Sequence, residues 1–352
     1  MIKNRNILIL AAVLLVLLGI SMVQKAGYKN STSRSSTEKI VAGTFTADQV
    51  DRITLGYGRD DESVVLLSTP TGWVTASAWD APASMGRVDG LLRNVSDLSG
   101  EFRSDKESVL GDYGLSEDTA VKIRVYDKDG ELALALDIGN KPEGASGNFI
   151  KRPDSSEVYL TSVNLLSPLG LYDGPAAPGS QHWLDLQVVQ EDRLAVDRVI
   201  LRNDGGNLEM AKEFAEVKPV PGPESTPPVV EAGADDRTTW EWKLVTPKSM
   251  ALAKTKADGV LNSLVGIRAV DVADPQADLN VYGLDAPLRT ATLVMEDGSD
   301  LTLSFGNTRE AAGDLQAGIW LQVQGQPSIW VVTEYTANNI FKTVEDLLPD
   351  ED

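Results

Sequence analysis

Residues 121–136 read VKIRVYDKDGELALAL. Val121, Ile123 and Val125 alternate with charged or polar residues, Asp129-Gly130 supplies a turn, and Leu132, Leu134 and Leu136 alternate again. A period of two sends successive side chains to opposite faces of a strand, and Asp-Gly is a strong hairpin turn, so this stretch is a β-hairpin. Residues 292–305, TLVMEDGSDLTLSF, repeat the pattern. Thr292, Val294 and Glu296 lead to a turn at Asp297-Gly298, and Leu301, Leu303 and Phe305 follow.

The repetition extends outward from the hairpins. Val50-Asp51-Arg52-Ile53 returns as Val196-Asp197-Arg198-Val199, and Trp73 returns as Trp242. Arg87-Val88-Asp89-Gly90-Leu91-Leu92 returns as Lys256-Ala257-Asp258-Gly259-Val260-Leu261. Tyr113-Gly114-Leu115 matches Tyr282-Gly283-Leu284, and Gly139-Asn140 matches Gly306-Asn307. The first match is offset by 146 residues and the rest by 167–169. The single jump falls at the Pro-rich insert 217–237, VKPVPGPESTPPVVEAGADDR, whose composition suits an exposed loop without a core. Collinear matches of this kind indicate two diverged copies of one module in tandem.

Each copy has the same expected order. A strand carrying Val-Asp-Arg-Ile/Val opens it, followed by strands near 62–68 and 71–75, or 207–213 and 239–245. A helix comes next, over about 83–98, with Val88, Leu91, Leu92, Val95 and Leu98 on one stripe. In the second copy Met250, Ala253, Ala257, Val260, Leu261 and Leu264 form the stripe. After the hairpin come strands near 147–152 and 157–161, or 318–324 and 328–333. A short helix closes each copy, at about 162–170 and 335–348. Adjacent hairpins build antiparallel sheets, so the fold class is α+β. Residues 167–179, rich in Pro and Gly, are the natural link, which gives modules at 45–179 and 180–348.

Ile7 to Val23 is an apolar run of 17 residues, about 26 Å as a helix at 1.5 Å per residue. Lys3 and Arg5 precede it, so residues 1–6 are expected on the cytoplasmic side and the body beyond the membrane. The competing reading is a cleaved signal peptide with Gly19 and Ser21 at the cleavage site, although no A-x-A pattern is present. Residues 24–44 read as a flexible linker.

Composition narrows the chemistry. The chain has 352 residues, no cysteine and a net charge of −20. Disulfides, thiolate metal sites and cysteine nucleophiles are excluded, and so acidic a body repels nucleic acid. His182 is the one histidine, and beside Trp183 it reads as a packing residue rather than a catalytic base. Asp127-Lys128-Asp129-Gly130-Glu131 begins like a calcium loop, but its glycine comes too early and no twelfth-position Glu follows. Gly-Asn after each hairpin is expected to end the strand at positive φ. Trp79, Trp183, Trp240, Trp320 and Trp330 either stack on a cell-wall sugar or pack in a core. No catalytic, metal-binding or cofactor-binding residue is singled out, and no cofactor is expected.

The anchor, the Val-Asp-Arg-Ile opening, Tyr113-Gly114-Leu115, Tyr282-Gly283-Leu284-Asp285-Ala286-Pro287, the Asp-Gly hairpin and the Gly-Asn that follows resemble the bacterial "domain of unknown function 4340" family, twice over residues 45–345. The resemblance implies an envelope protein held in the cytoplasmic (inner) membrane by one span, with its body outside the cytoplasm. It also implies a non-catalytic accessory of an ABC-type transport system of the gliding-motility kind, with the permease or auxiliary membrane subunits as partners. A second reading is a module that binds wall polymer or another exported protein. The first copy has Ser116-Glu117-Asp118 in place of Asp-x-Pro, which points to a diverged ligand or packing role there.

Overall fold

The computed structural model describes residues 37–214, 239–313 and 315–350. The chain forms two compact units. One runs to Ser77 and resumes over Met85–Trp183, and the other takes Ala78–Ser84 and Leu184 onward.

In the first unit, β1 (Thr37–Lys39), β2 (Val50–Tyr57), β3 (Asp60–Thr69) and β4 (Gly72–Thr75) precede helix α1 (Met85–Val95). The two-residue β5 (Ala81–Pro82) lies in the segment counted with the second unit. Then come β6 (Ser99–Ser104), β7 (Val121–Asp127), β8 (Leu132–Ile138), β9 (Phe149–Lys151) and β10 (Val158–Thr161). Their order in the sheet is β1-β6-β10-β9-β8-β7-β2-β3-β4, with every pairing antiparallel.

The second unit contains β11 (Val196–Asn203), β12 (Gly206–Phe214), β13 (Trp240–Thr246), β14 (Met250–Ala251), helix α2 (Lys254–Val265) and β15 (Asp271–Ala273). The one-turn helix α3 (Leu279–Tyr282) follows, then β16 (Arg289–Met295), β17 (Asp300–Arg309), β18 (Gly318–Val323) and β19 (Ile329–Val332). Helices α4 (Glu334–Ile340) and α5 (Val344–Leu347) end it. The sheet order is β15-β19-β18-β17-β16-β11-β12-β13-β14. Eight consecutive positions therefore repeat the first unit strand for strand, from β6 matching β15 to β4 matching β13. Even the lead-in repeats. Ile40 N and Val41 N both donate to Leu98 O at 2.8 and 3.0 Å, and Val188 N and Val189 N both donate to Ile267 O at 3.1 and 3.3 Å.

The expected hairpins form as β7–β8 and β16–β17, with Gly130 and Gly298 at φ 80° and 83°. The helical stripes bury Val88, Leu91, Leu92 and Val95 in α1 and Ala257, Val260, Leu261 and Leu264 in α2. Each large aliphatic side chain so buried contributes roughly 1.5–3 kcal/mol. Both units are antiparallel sheets with few helices, an α+β class.

Some expectations need correction. Residues 37–39 belong to the sheet rather than to a linker, and Ile40 and Val41 after them are buried. Met250 is not helical: it pairs with Leu244 as part of β14, and the helix starts only after the extended Ala253. The expected helix at 162–170 is a single 3₁₀ turn, Ser167–Leu169, because Pro168 and a left-handed Gly170 stop it. Ser180–Trp183 goes with the first unit, so the boundary lies at 183/184. The apolar run 7–23, linker residues 24–36 and the insert 217–237 lie outside the described residues. Among the described residues, no helix is long and apolar enough to cross a membrane.

Candidate functional site

The two recurring glycine motifs meet in space, in the same way in each unit. In the first, Gly114 has φ 68° and Asn140 N donates to Tyr113 O at 2.8 Å. A Cβ added at Gly139 would lie 2.1 Å from Tyr113 O, and one at Gly114 would lie 2.7 Å from Asn140 Cγ. In the second, Gly283 caps α3 at φ 66°. A Cβ at Gly306 would lie 2.0 Å from Tyr282 O, and one at Gly283 would lie 2.5 Å from Asn307 Cγ. The tyrosines pack alike: Tyr113 on Phe149 at 4.6 Å and Tyr282 on Trp320 at 4.7 Å, both at 58°. The Gly-Asn pair is therefore not the positive-φ strand end expected of it. Gly139 and Gly306 are needed for backbone approach, and the positive φ belongs to Gly114 and Gly283.

Next to this junction the two units differ. In the first, β2 and β7 pair through Tyr57 and Val121, and Gly58 N continues the ladder to Ala120 O at 3.0 Å. Arg59 Nε meets Asp118 Oδ1 at 2.7 Å across the closed edge. In the second unit the equivalent pairing of β11 with β16 stops at Arg202 and Thr290. A cleft of about 580 Å³ opens there, lined among others by Asp204, Ala286, Leu288, Arg289, Asn307 and Thr308. Leu288 is 70% exposed. Among the described residues, the Asp204 carboxylate, the Arg289 guanidinium and the Asn307 carboxamide have no hydrogen-bond or ion-pair partner; Arg289 rests on the Phe341 ring at 5.6 Å. Convergent, unspent polar groups around a concavity are the general form of a binding site. Sequence reading missed Asp204, Leu288 and Arg289; its one hint was the Asp-x-Pro difference between the copies.

The buried charges also differ between units. Arg124 Nη2 and Lys151 Nζ meet the two oxygens of Asp137 at 2.8 and 2.9 Å, with all three side chains at most 13% exposed. By strand register, Asp137 and Lys151 correspond to Ser304 and Gln322, and Arg124 to Thr292. The second unit thus keeps this place neutral.

The residues weighed in the sequence are mostly spent on packing. Trp183, Trp240 and Trp330 are buried, Trp320 pairs with Tyr282, and Trp79, at φ 54°, is exposed. Asp127 Oδ1 accepts from Asp129 N and Glu131 N, which makes that acidic run a turn. Among the described residues, no group of three His, Asp or Glu side chains could hold a metal. Tyr159 OH reaches Glu157 and Glu38 at 2.9 and 3.2 Å, and burial with these carboxylates pushes its hydroxyl up to about 12.

His182 is half-buried, with Nε2 3.1 Å from Pro168 O and its ring edge-on to Trp183. Burial, then the nearby Arg87 charge, pull its pKa below 6.5. The folded state thus favours the neutral ring, and the unfolded chain takes up the proton first as pH falls. Stability attributable to His182 is therefore complete above 6.5 and lost as pH falls toward the folded value. Urea denaturation at neutral pH and near pH 5 is expected to show this loss, and His182→Gln should reduce the difference.

One family model, described as "Domain of unknown function (DUF4340)", matches residues 73–287. The match is a single span that starts in β4 and ends just before β16. No curated protein and no solved structure matches the chain.

Proposed function

The chain belongs to the DUF4340 family, and we propose that it acts by binding rather than by catalysis. Its role in this proposal is that of an extracytoplasmic accessory or scaffold subunit of an ABC-type membrane transport complex of the gliding-motility kind, built from two diverged copies of one module. The observation that carries the proposal is the contrast at the glycine junction. Both units spend the glycines of their recurrent motif on close backbone approach, and one of them leaves an open cleft with an acid, a guanidinium and a carboxamide that have no partner among the described residues. Such a surface suits recognition of another molecule. The apolar run at 7–23 supports attachment to the cytoplasmic membrane, and the matching strand orders support the duplication. A wall-polymer module has less support, since three of the five tryptophans considered for sugar stacking are buried.

In-cell crosslinking of the full-length chain, followed by mass spectrometry, tests the proposal. Recovery of a permease or nucleotide-binding subunit is the expected result. Recovery of wall-linked material alone would overturn it.

A further inference from the structure

We infer that the cleft between the β11–β12 turn and residues 286–289 takes an extended peptide segment bearing a carboxylate and an apolar side chain. This rests on the reading that the chain works through protein contacts, and it adds where and with what chemistry.

The first unit shows what the place is built to hold. There the turn Gly58-Arg59 meets residues 118–120 through a backbone bond, Gly58 N to Ala120 O, and through a guanidinium–carboxylate pair, Arg59 with Asp118. The occupant of the first unit's cleft is thus its own chain, supplying a backbone carbonyl and an acid.

In the second unit both are withdrawn. The turn is now Asp204-Gly205, by strand register Ala286 stands at the position of Asp118 and Pro287 at that of Thr119, and no bond joins Asp204 N to Leu288 O among the described residues. Ala286 has no carboxylate to offer, and Pro287 beside it has no N–H to extend a ladder. The guanidinium is still present, moved to Arg289, and among the described residues it lacks an acid. A carboxylate is its natural complement, since the planar fork of Arg matches two carboxylate oxygens. The Asn307 carboxamide offers one acceptor and two donors, which suits a peptide group. Leu288 replaces the buried Ala120 and is 70% exposed, so the rim has gained an apolar contact that the first unit does not offer. An extended segment satisfies all of these at once: amides to Asn307 and the open strand end, an acid to Arg289, an apolar side chain on Leu288.

The test is selection of random dodecapeptides displayed on phage against the purified full-length chain in nanodiscs. The expected result is enrichment of peptides that pair an Asp or Glu with a nearby Leu, Ile, Val or Phe. Arg289→Glu should exchange the acidic preference for Lys or Arg. Leu288→Asp, at a surface position where folding is not at stake, should weaken the selected peptide at least tenfold. Absence of any enriched pattern, or a pattern unchanged by both substitutions, would overturn the inference. Because no membrane partner is present, this outcome is independent of the crosslinking result. Permease crosslinks together with a blank selection would remove the cleft and leave the accessory role standing.

Discussion

Gly306→Ala and Gly139→Ala will each destabilise their unit by about 3–5 kcal/mol, at the upper end of single-residue effects. The new methyl group would sit 2.0 Å from Tyr282 O in one case and 2.1 Å from Tyr113 O in the other. Neither carbonyl belongs to a flexible side-chain end; each is backbone held by its neighbours. Relief would require the Tyr-Gly-Leu segment to lift from the strand, separating Tyr282 from Trp320 or Tyr113 from Phe149. At about 2–4 °C per kcal/mol for units of this size, thermal denaturation should fall by roughly 6–20 °C. The control is Gly259→Ala. Gly259 lies inside α2 with nothing within 4 Å of an added Cβ, so alanine there should stabilise by about 0.5–1 kcal/mol. Equal, small effects at Gly306, Gly139 and Gly259 would show that the junction is not a close contact.

The second large effect lies at Asp137. Asp137→Ala leaves Arg124 and Lys151 in a buried place without their shared acid, and should cost about 3–5 kcal/mol. Replacing all three together is a different matter. Arg124→Thr with Asp137→Ser and Lys151→Gln installs the residues that the second unit carries at the same register. Removing a whole buried charge group is often neutral, because the desolvation cost leaves with the attraction, so the triple variant should lie within about 1–2 kcal/mol of the parent. Urea denaturation followed on both variants decides the matter. A triple variant as weak as Asp137→Ala would mean that the charges themselves hold the three strands.

Much of the fold could be read from residues. The alternation in 121–136 and 292–305, with a turn glycine in each, is a local signal that packing had no reason to override. The stripe Val88, Leu91, Leu92 and Val95 was equally plain, because four buried positions at helical spacing leave one solution. The failures have physical causes. β6, SGEFRS, carries no alternation and owes its place to partners on both sides, β1 and β10. β1 is a polar segment that sequence composition assigns to a linker, yet it completes the sheet edge. Met250 fits the helical stripe by type, but its backbone is taken by Leu244 in the sheet.

The site was legible only in part. Tyr-Gly-Leu and Gly-Asn stood out as recurring motifs, but nothing along the chain says that residues 114 and 139, or 283 and 306, touch. Spacing cannot separate a glycine needed for φ from one needed for room. The cleft was less visible still, since it exists through one ladder bond and one ion pair that one unit makes and the other omits. Only a comparison of the two sheets in register brings out Leu288 and Arg289.

Residues 78–84 belong with the second unit although the chain on either side of them belongs to the first. Ala78 and Ala81 are buried in the same core cluster as Leu184, Trp240 and Leu261. The two halves therefore cannot be produced as independent fragments by one cut. A polypeptide starting at 184 would lack part of its own interior, and a polypeptide ending at 183 would carry that part as a surplus loop. Dissection of this protein has to graft the seven residues onto the second fragment.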